Sequence, residues 1–178
     1  KGVKVVGIDP TNTAADYIEK RRQKQPVLQE NYIYVKKALS GTNEPIRLYF
    51  GENDGMSSVS SQHRDAAAKN YFICESVTIP DLLREYSGVS YLKLDIEGAE
   101  YAMIEKLENL SVPQVSIEFH HHCSTEYTLA QTIAMIQKIE KMGYDVIDYG
   151  AYFGRDRRLP MYASKWSDLN CELLFIKR

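Results

Sequence analysis

The chain has 178 residues, of which 44% are hydrophobic and 26% charged, with a formal net charge of -2. That is enough chain for one substantial core, and the near-neutral balance offers no electrostatic reason to bind nucleic acid or an anionic membrane. No stretch approaches the ~20 apolar residues of a transmembrane helix. Cys74, Cys123 and Cys171 stand far apart without a CxxC pair, which suits a reducing compartment and makes the cytoplasm the expected location.

In chain order, Val3 to Ile8 reads as a short buried strand ending at Asp9-Pro10, and Thr11 to Thr13 supply capping residues for a helix through Arg22. Tyr32 to Ala38 reads as the next strand. Arg47 to Phe50 and Phe72 to Val77 read as two more, joined by a polar Gly/Ser/Asn segment, and Thr78-Ile79-Pro80 opens a short helix with proline in its first turn. Ser90 to Ile96 is a strand that leads into a helix from Gly98 to about Leu110, with Ala99, Met103, Leu107 and Leu110 on one stripe. Val115 to Phe119 is the following strand, and Tyr127 to Met142 is an amphipathic helix closed by Gly143. Tyr144 to Asp148 and Glu172 to Ile176 complete the set. Alternating strands and helices predict an α/β domain with a mainly parallel sheet covered by helices on both faces.

In open α/β sheets ligands bind beyond the carboxyl ends of the strands. Three such ends carry polar residues: Asp9, Asp95 with Glu97, and His120. A strand-end carboxylate can accept both hydroxyls of a ribose, which suits Asp9; an Asx-type turn before Pro10 is the alternative use of the same side chain. Asp95, Glu97 and Glu100 crowd the junction "LKLDIEGAEYAMI". Capping and the positive helix N-terminus account for acids there, whereas Gly98 implies a close backbone approach. Glu100, one turn into the helix, suits support of the helix dipole.

The stretch "YLKLDIEGAEYAMIEKL" resembles the signature of FkbM-type methyltransferases, in which a strand ending K-[LIV]-D-[IV]-E-G-x-E runs straight into a helix. The order of the flanking pieces is similar too: "VVGIDP", "VKKALSG", "GMSSVSS", "VTIPDLL" and "VSIEFH". The resemblance spans about Val3 to Ile176. It implies a class I, Rossmann-like methyltransferase fold, S-adenosylmethionine as methyl donor, and transfer to an oxygen of a sugar or natural product. It also implies a first strand and glycine-rich loop, which this sequence lacks ahead of Val3. Residues 1–178 therefore read as a single methyltransferase domain without its N-terminal β-α unit, and the absent strand would lie between the Val3 to Ile8 and Ser90 to Ile96 strands.

On this reading Asp9 holds the donor ribose, the backbone around Ala38, Leu39 and Ser40 lines the adenine, and Asp95 contributes to the donor site. Asp95, Glu97 and His120 are the catalytic candidates, with His120 a general base whose ordinary pKa suits neutral pH. Alternation puts Tyr91, Lys93 and Asp95 on one face of their strand, and Ser116, Glu118 and His120 alternate likewise on the Val115 to Phe119 strand, so Glu118 is the expected counter-ion of Lys93 if the two strands are neighbours. "EFHHHC" raises a metal reading through Glu118, His120 and His122, but contiguous histidines lack the spacing of a closed zinc site and no metal is assigned.

Two polar loops are candidates for the acceptor pocket: "GENDGMSSVSSQHRD", and "DYGAYFGRDRRLPMYASKWSD" with its Tyr149, Tyr152, Phe153, Tyr162, Trp166, Arg155, Arg157 and Arg158. The expected partner is a small-molecule or glycan acceptor, with neither nucleic acid nor a membrane span. A non-catalytic binding or scaffold domain of the same fold is the alternative, because fold does not fix activity.

Overall fold

A computed structural model describes residues 2–52, 54, 57–62, 70–121, 125–148 and 171–178. In chain order the elements are β1 (Val5–Ile8), α1 (Asn12–Lys24), α2 (Val27–Asn31), β2 (Tyr32–Val35), β3 (Ala38–Leu39), β4 (Ile46–Phe50), β5 (Asn70–Cys74) and β6 (Ser76–Val77). They continue with α3 (Ile79–Glu85), β7 (Tyr91–Leu94), α4 (Glu100–Lys106), β8 (Gln114–Phe119), α5 (Leu129–Lys141), β9 (Tyr144–Asp148) and β10 (Cys171–Lys177).

Local chemistry sets the helix ends. The Thr11 hydroxyl accepts the Ala14 N–H and caps α1, whose last turn carries Arg21, Arg22 and Lys24 where the helix dipole favours cations. Thr78 caps α3 in the same way, with Pro80 in its first turn. At α5 the Thr128 hydroxyl and the Gln131 side chain form a reciprocal capping box, and Gly143, at φ 92°, ends the segment in the left-handed conformation that favours glycine.

The main sheet has the order β7-β8-β10-β9. Its β7–β8 ladder is parallel, with Lys93 opposite Ser116 and Leu94 opposite Ile117, and β10 runs antiparallel to both β8 and β9. β1 pairs with β2 and β3 with β6 in parallel, whereas β4 and β5 pair antiparallel. The mainly parallel sheet expected from the βα alternation is thus corrected to a mixed one built from small sheets. Alternation of element types does not reveal that β10 inserts between β8 and β9, and this insertion sets one strand of the main sheet antiparallel to the other three.

Among the described residues β1 has β2 as its ladder partner and β7 has β8, so no ladder joins Val5–Ile8 to Tyr91–Leu94.

The core lies where the main sheet meets α4 and α5. Leu94, Val115, Ile117, Phe119, Leu173 and Phe175 from the strands pack with Met103, Ile104, Ile136, Ile139 and Tyr144, all essentially removed from water. At about 25 cal/mol per Å² of apolar surface, burial of each such side chain stabilises the fold by roughly 1.5–3 kcal/mol. Helix α4 ends at Lys106 rather than near Leu110, yet Leu107 and Leu110 remain buried, so the apolar stripe outlasts the helix. This core fixes the carboxyl ends of β7 and β8 side by side.

Candidate functional site

The chain leaves β7 at Leu94 and reverses through residues 95–99 before entering α4. Glu97 has φ 51° and Gly98 φ 100°, two consecutive residues in the region that L side chains seldom adopt. The turn is held from beneath by Glu100, whose side chain is completely buried. One oxygen, Oε1, accepts the Ile96 N–H at 3.0 Å, and Oε2 accepts the Gly98 N–H at 2.9 Å. These are backbone donors of the turn that precedes α4, satisfied by the carboxylate of the helix's own first residue.

Gly98 is required by the protein itself. A Cβ there would lie 3.1 Å from Cε2 of Tyr127 and 3.6 Å from Oγ of Ser58. The Tyr127 ring stacks on Tyr101 with centroids 4.0 Å apart and planes 9° apart, and the Ser58 hydroxyl donates to the Glu97 carbonyl. The close approach expected at this glycine is therefore to Tyr127 and Ser58.

His120, just beyond β8, joins the turn to the next strand. Its buried Nδ1 lies 3.0 Å from Oε1 of Glu100. Nε2 faces outward, 3.3 Å from Oε2 of Glu97 and 3.7 Å from Oδ1 of Asp95. Burial by itself lowers the imidazole pKa, but the hydrogen bond and charge of Glu100, followed by the charges of Glu97 and Glu118, outweigh it and raise the value to about 9. That direction favours the protonated ring, which sits between the carboxylates of Glu100 and Glu97. A general base at neutral pH, the expected role, needs the opposite state. Neighbouring His121 turns elsewhere, with Nδ1 3.1 Å from the Thr132 hydroxyl, which in turn meets the Tyr101 hydroxyl at 2.8 Å.

Lys93 lies on the same side of the sheet. Its Nζ is 3.6 Å from Oδ2 of Asp95 and 3.7 Å from Oε1 of Glu172, which also accepts the Ser116 hydroxyl at 2.9 Å. The expected partner, Glu118, acts on Lys93 through its field, whereas the ion-pair contacts go to Asp95 and Glu172. The reason is the strand order: β10 adjoins β8 and brings Glu172 opposite Glu118. Nor is Lys93 buried as a central-strand position suggested, since 48% of its side chain is exposed. Glu118 has its pKa raised, by burial first and then by the Asp95 charge, with His120 and Lys93 opposing.

At the end of β1, Oδ1 of Asp9 accepts the Thr11 N–H at 2.8 Å and the Thr11 hydroxyl at 2.6 Å. That is the local turn weighed against the ribose role, and it occupies one of the two carboxylate oxygens. The Tyr34 hydroxyl donates to the Asp9 carbonyl at 2.7 Å.

Ala38 and Leu39 are buried in β3, and the Ala38 and Ser40 N–H groups are taken by the carbonyls of Glu75 and Val77 at 2.9 and 3.0 Å. Of the three residues expected to line an adenine, Ser40 is the one left partly open. The structure brings Asp95, Glu97 and His120 together, and no hydrogen bond or ion pair among the described residues joins Asp9 or residues 38–40 to them.

The first polar loop is anchored at two points. Asp54 accepts the Asn12 N–H at 2.8 Å and the Thr13 hydroxyl at the start of α1, while Ser58 holds the turn at Glu97. His122, Cys123 and the aromatic and arginine-rich stretch 149–170 lie outside the described residues.

Three contacts escaped the sequence reading, those of Glu100 with His120, Ser58 with Glu97 and Glu172 with Lys93. The i, i+4 spacing of Ile96 and Glu100 signals capping but gives no hint of His120. Ser58 lies 39 residues from its partner. Glu172 had a visible signal: in "CELLFIK" it alternates with Leu173 and Phe175, so its side chain must leave the core.

Comparison with curated proteins and with solved structures found no match to this chain. The profile of the family described as Methyltransferase FkbM domain matches residues 2–146, which include β7, the turn, α4 and β8. By that match over most of its length, and with the acidic turn and histidine in place at the ends of neighbouring strands, the chain belongs to the FkbM methyltransferase domain family.

Proposed function

We propose that this domain transfers a methyl group from S-adenosylmethionine to a hydroxyl oxygen of a sugar or glycosylated small molecule. The observation that carries the reading is the convergence of Asp95, Glu97 and His120 at the carboxyl ends of β7 and β8, where α/β sheets bind ligands. S-adenosylmethionine supplies an electrophilic methyl group on a sulfonium cation. The residues fit such a donor in charge, because an acid-lined strand end favours a cation. Asp9 fits in chemistry, since both Thr11 donors use Oδ1 and Oδ2 remains for a ribose hydroxyl. The adenine side rests on Ser40, because Ala38 and Leu39 are enclosed.

Glu100 locks the turn and the imidazole ring together, which fixes where Asp95 and Glu97 stand. With both ring nitrogens facing carboxylates, His120 serves as the holder of the acids. Glu97, partly exposed and 3.3 Å from Nε2, is placed to take the proton of an acceptor hydroxyl. Asp95, paired with Lys93, orients donor and acceptor. Most of the rate enhancement would come from holding the hydroxyl in line with the methyl group. Spacing of the cysteines favours the cytoplasm as the site of action, and no helix among the described residues is long and apolar enough to cross a membrane.

The test is transfer of labelled methyl from S-adenosylmethionine by the full-length protein to a panel of sugars and glycosylated small molecules. Label should appear on a hydroxyl of one acceptor class, and Glu97→Gln should reduce transfer about a hundredfold or more, as for loss of a general base. Donor binding without transfer to any acceptor would favour the scaffold domain instead.

A further inference from the structure

We propose that Asp95, Glu118 and His120 form a binding site for one divalent first-row metal cation, of the manganese(II) class, at the carboxyl ends of β7 and β8. One ligand atom from each of these three residues lies within 4.8 Å of the other two. Metal–ligand bonds of about 2.0–2.6 Å put donors on opposite sides of a cation about 4–5 Å apart, so the three atoms already span a single coordination shell.

The ring supplies a second, separate observation. His120 has only 4% of its side chain exposed, and its Nδ1 is tied to a carboxylate that is itself wholly buried. This fixes Nε2 toward Asp95 and Glu97. A carboxylate holding the far nitrogen of an imidazole is how metal-ligating histidines are oriented and made more basic. Glu100 is not free to turn away, because the Ile96 and Gly98 amides hold both of its oxygens.

Charge points the same way. Around the strand ends the five carboxylates of Asp95, Glu97, Glu100, Glu118 and Glu172 gather about Lys93 and His120 among the described residues, a surplus of acids on geometry alone. A bound dication would offset that surplus in a partly dehydrated place where like charges repel strongly. Binding requires Nε2 unprotonated, and any proton displaced from it would pass to solvent. One imidazole and two carboxylates suit manganese(II), iron(II) or zinc(II) better than magnesium, which prefers oxygen alone. Of the set considered from sequence Glu118 and His120 are joined by Asp95 from the neighbouring strand, and His122 lies outside the described residues.

Binding stands on this geometry alone; its use rests on the proposed methyl transfer, where a cation beside Glu97 would hold the acceptor hydroxyl and make it more acidic. The experiment is titration of metal-free full-length protein with manganese(II), read by loss of the free-ion electron paramagnetic resonance signal. One equivalent should bind, Glu118→Gln should weaken binding about tenfold or more, and Glu75→Gln, on the remote β5–β6 connection, should leave it unchanged. Pulsed spectra of the wild-type complex should show coupling to a histidine nitrogen, a readout that needs no variant. Absence of stoichiometric binding, absence of nitrogen coupling, or equal affinity in Glu118→Gln would overturn the site. Methyl transfer unaffected by thorough metal removal, with binding intact, would retain the site and reject its role in transfer; binding intact in a protein that transfers to no acceptor would fail the methyl-transfer reading alone.

Discussion

Replacing Glu100 by Gln preserves side-chain shape and removes the one group that all three neighbouring donors share. In the wild type Oε1 accepts from Ile96 and from His120, and Oε2 accepts from Gly98. An amide has one oxygen, so in either orientation a buried donor faces an NH2 group. That leaves an unsatisfied buried donor, at about 1–3 kcal/mol, and loses the charge-assisted part of the His120 bond, so a total of about 3–5 kcal/mol is expected. For a domain of this size about 2–4 °C of melting temperature follows each kcal/mol, which gives a drop of roughly 6–20 °C.

The pH dependence adds a sign. His120 titrates at about 9 in the folded protein against an ordinary 6.5, so its pairing contributes stability that is fully present below pH 6.5 and lost as pH rises through 9. The contribution is on the order of 3 kcal/mol. Most of it should vanish in Glu100→Gln, so the melting difference between the two proteins should be largest near pH 6 and shrink toward pH 9.5. Thermal unfolding in chelator-treated buffer across that range reads both effects. A variant melting within about 2 °C of wild type near pH 6, or a difference that does not shrink with pH, would refute the keystone role of Glu100.

Gly98→Ala should lower stability by about 1–3 kcal/mol in denaturant unfolding, because the residue has φ 100° and the new methyl would crowd Tyr127. Lys93→Met should cost about 1 kcal/mol or less, since its ion pairs are half exposed, and adding Glu118→Leu should recover little of that; the same unfolding assay decides it. Asp9→Asn keeps the oxygen that accepts from Thr11 and removes the charge, so its melting temperature should hold while affinity for S-adenosylmethionine falls by a few kcal/mol at most.

How far the sequence could be read depended on whether a contact was local or arrived from a distant strand. Asp95, Glu97 and His120 were legible as a group because they follow consecutive strands, and consecutive βα units pair in parallel, as β7 and β8 do. The cap residues Thr11, Thr78 and Thr128 were legible for the same local reason. Lys93 was given the wrong contact because the choice between Glu118 and Glu172 depends on β10, which inserts beside β8 from the far end of the chain. The same insertion makes the sheet mixed, which no periodicity within β7 or β8 could signal.

The contact of His120 with Glu100 was missed because Glu100 reads as a helix-dipole residue, although its carboxylate is buried against the ring. Ala38 and Leu39 illustrate a different limit. A resemblance assigns a segment to the donor site, but which of its residues stay open is decided by the β3–β6 ladder.

The most direct test of donor-dependent chemistry at the β7–β8 ends is a calorimetric titration of the full-length protein with S-adenosylmethionine and S-adenosylhomocysteine, for wild type and for Asp95→Asn. Saturable binding of both compounds by the wild type is predicted, with a loss of about tenfold or more in the variant, or about 1.4 kcal/mol, and little change in melting temperature. No saturable binding by the wild type, or equal affinity in Asp95→Asn, would contradict the assignment of this strand end to the methyl donor.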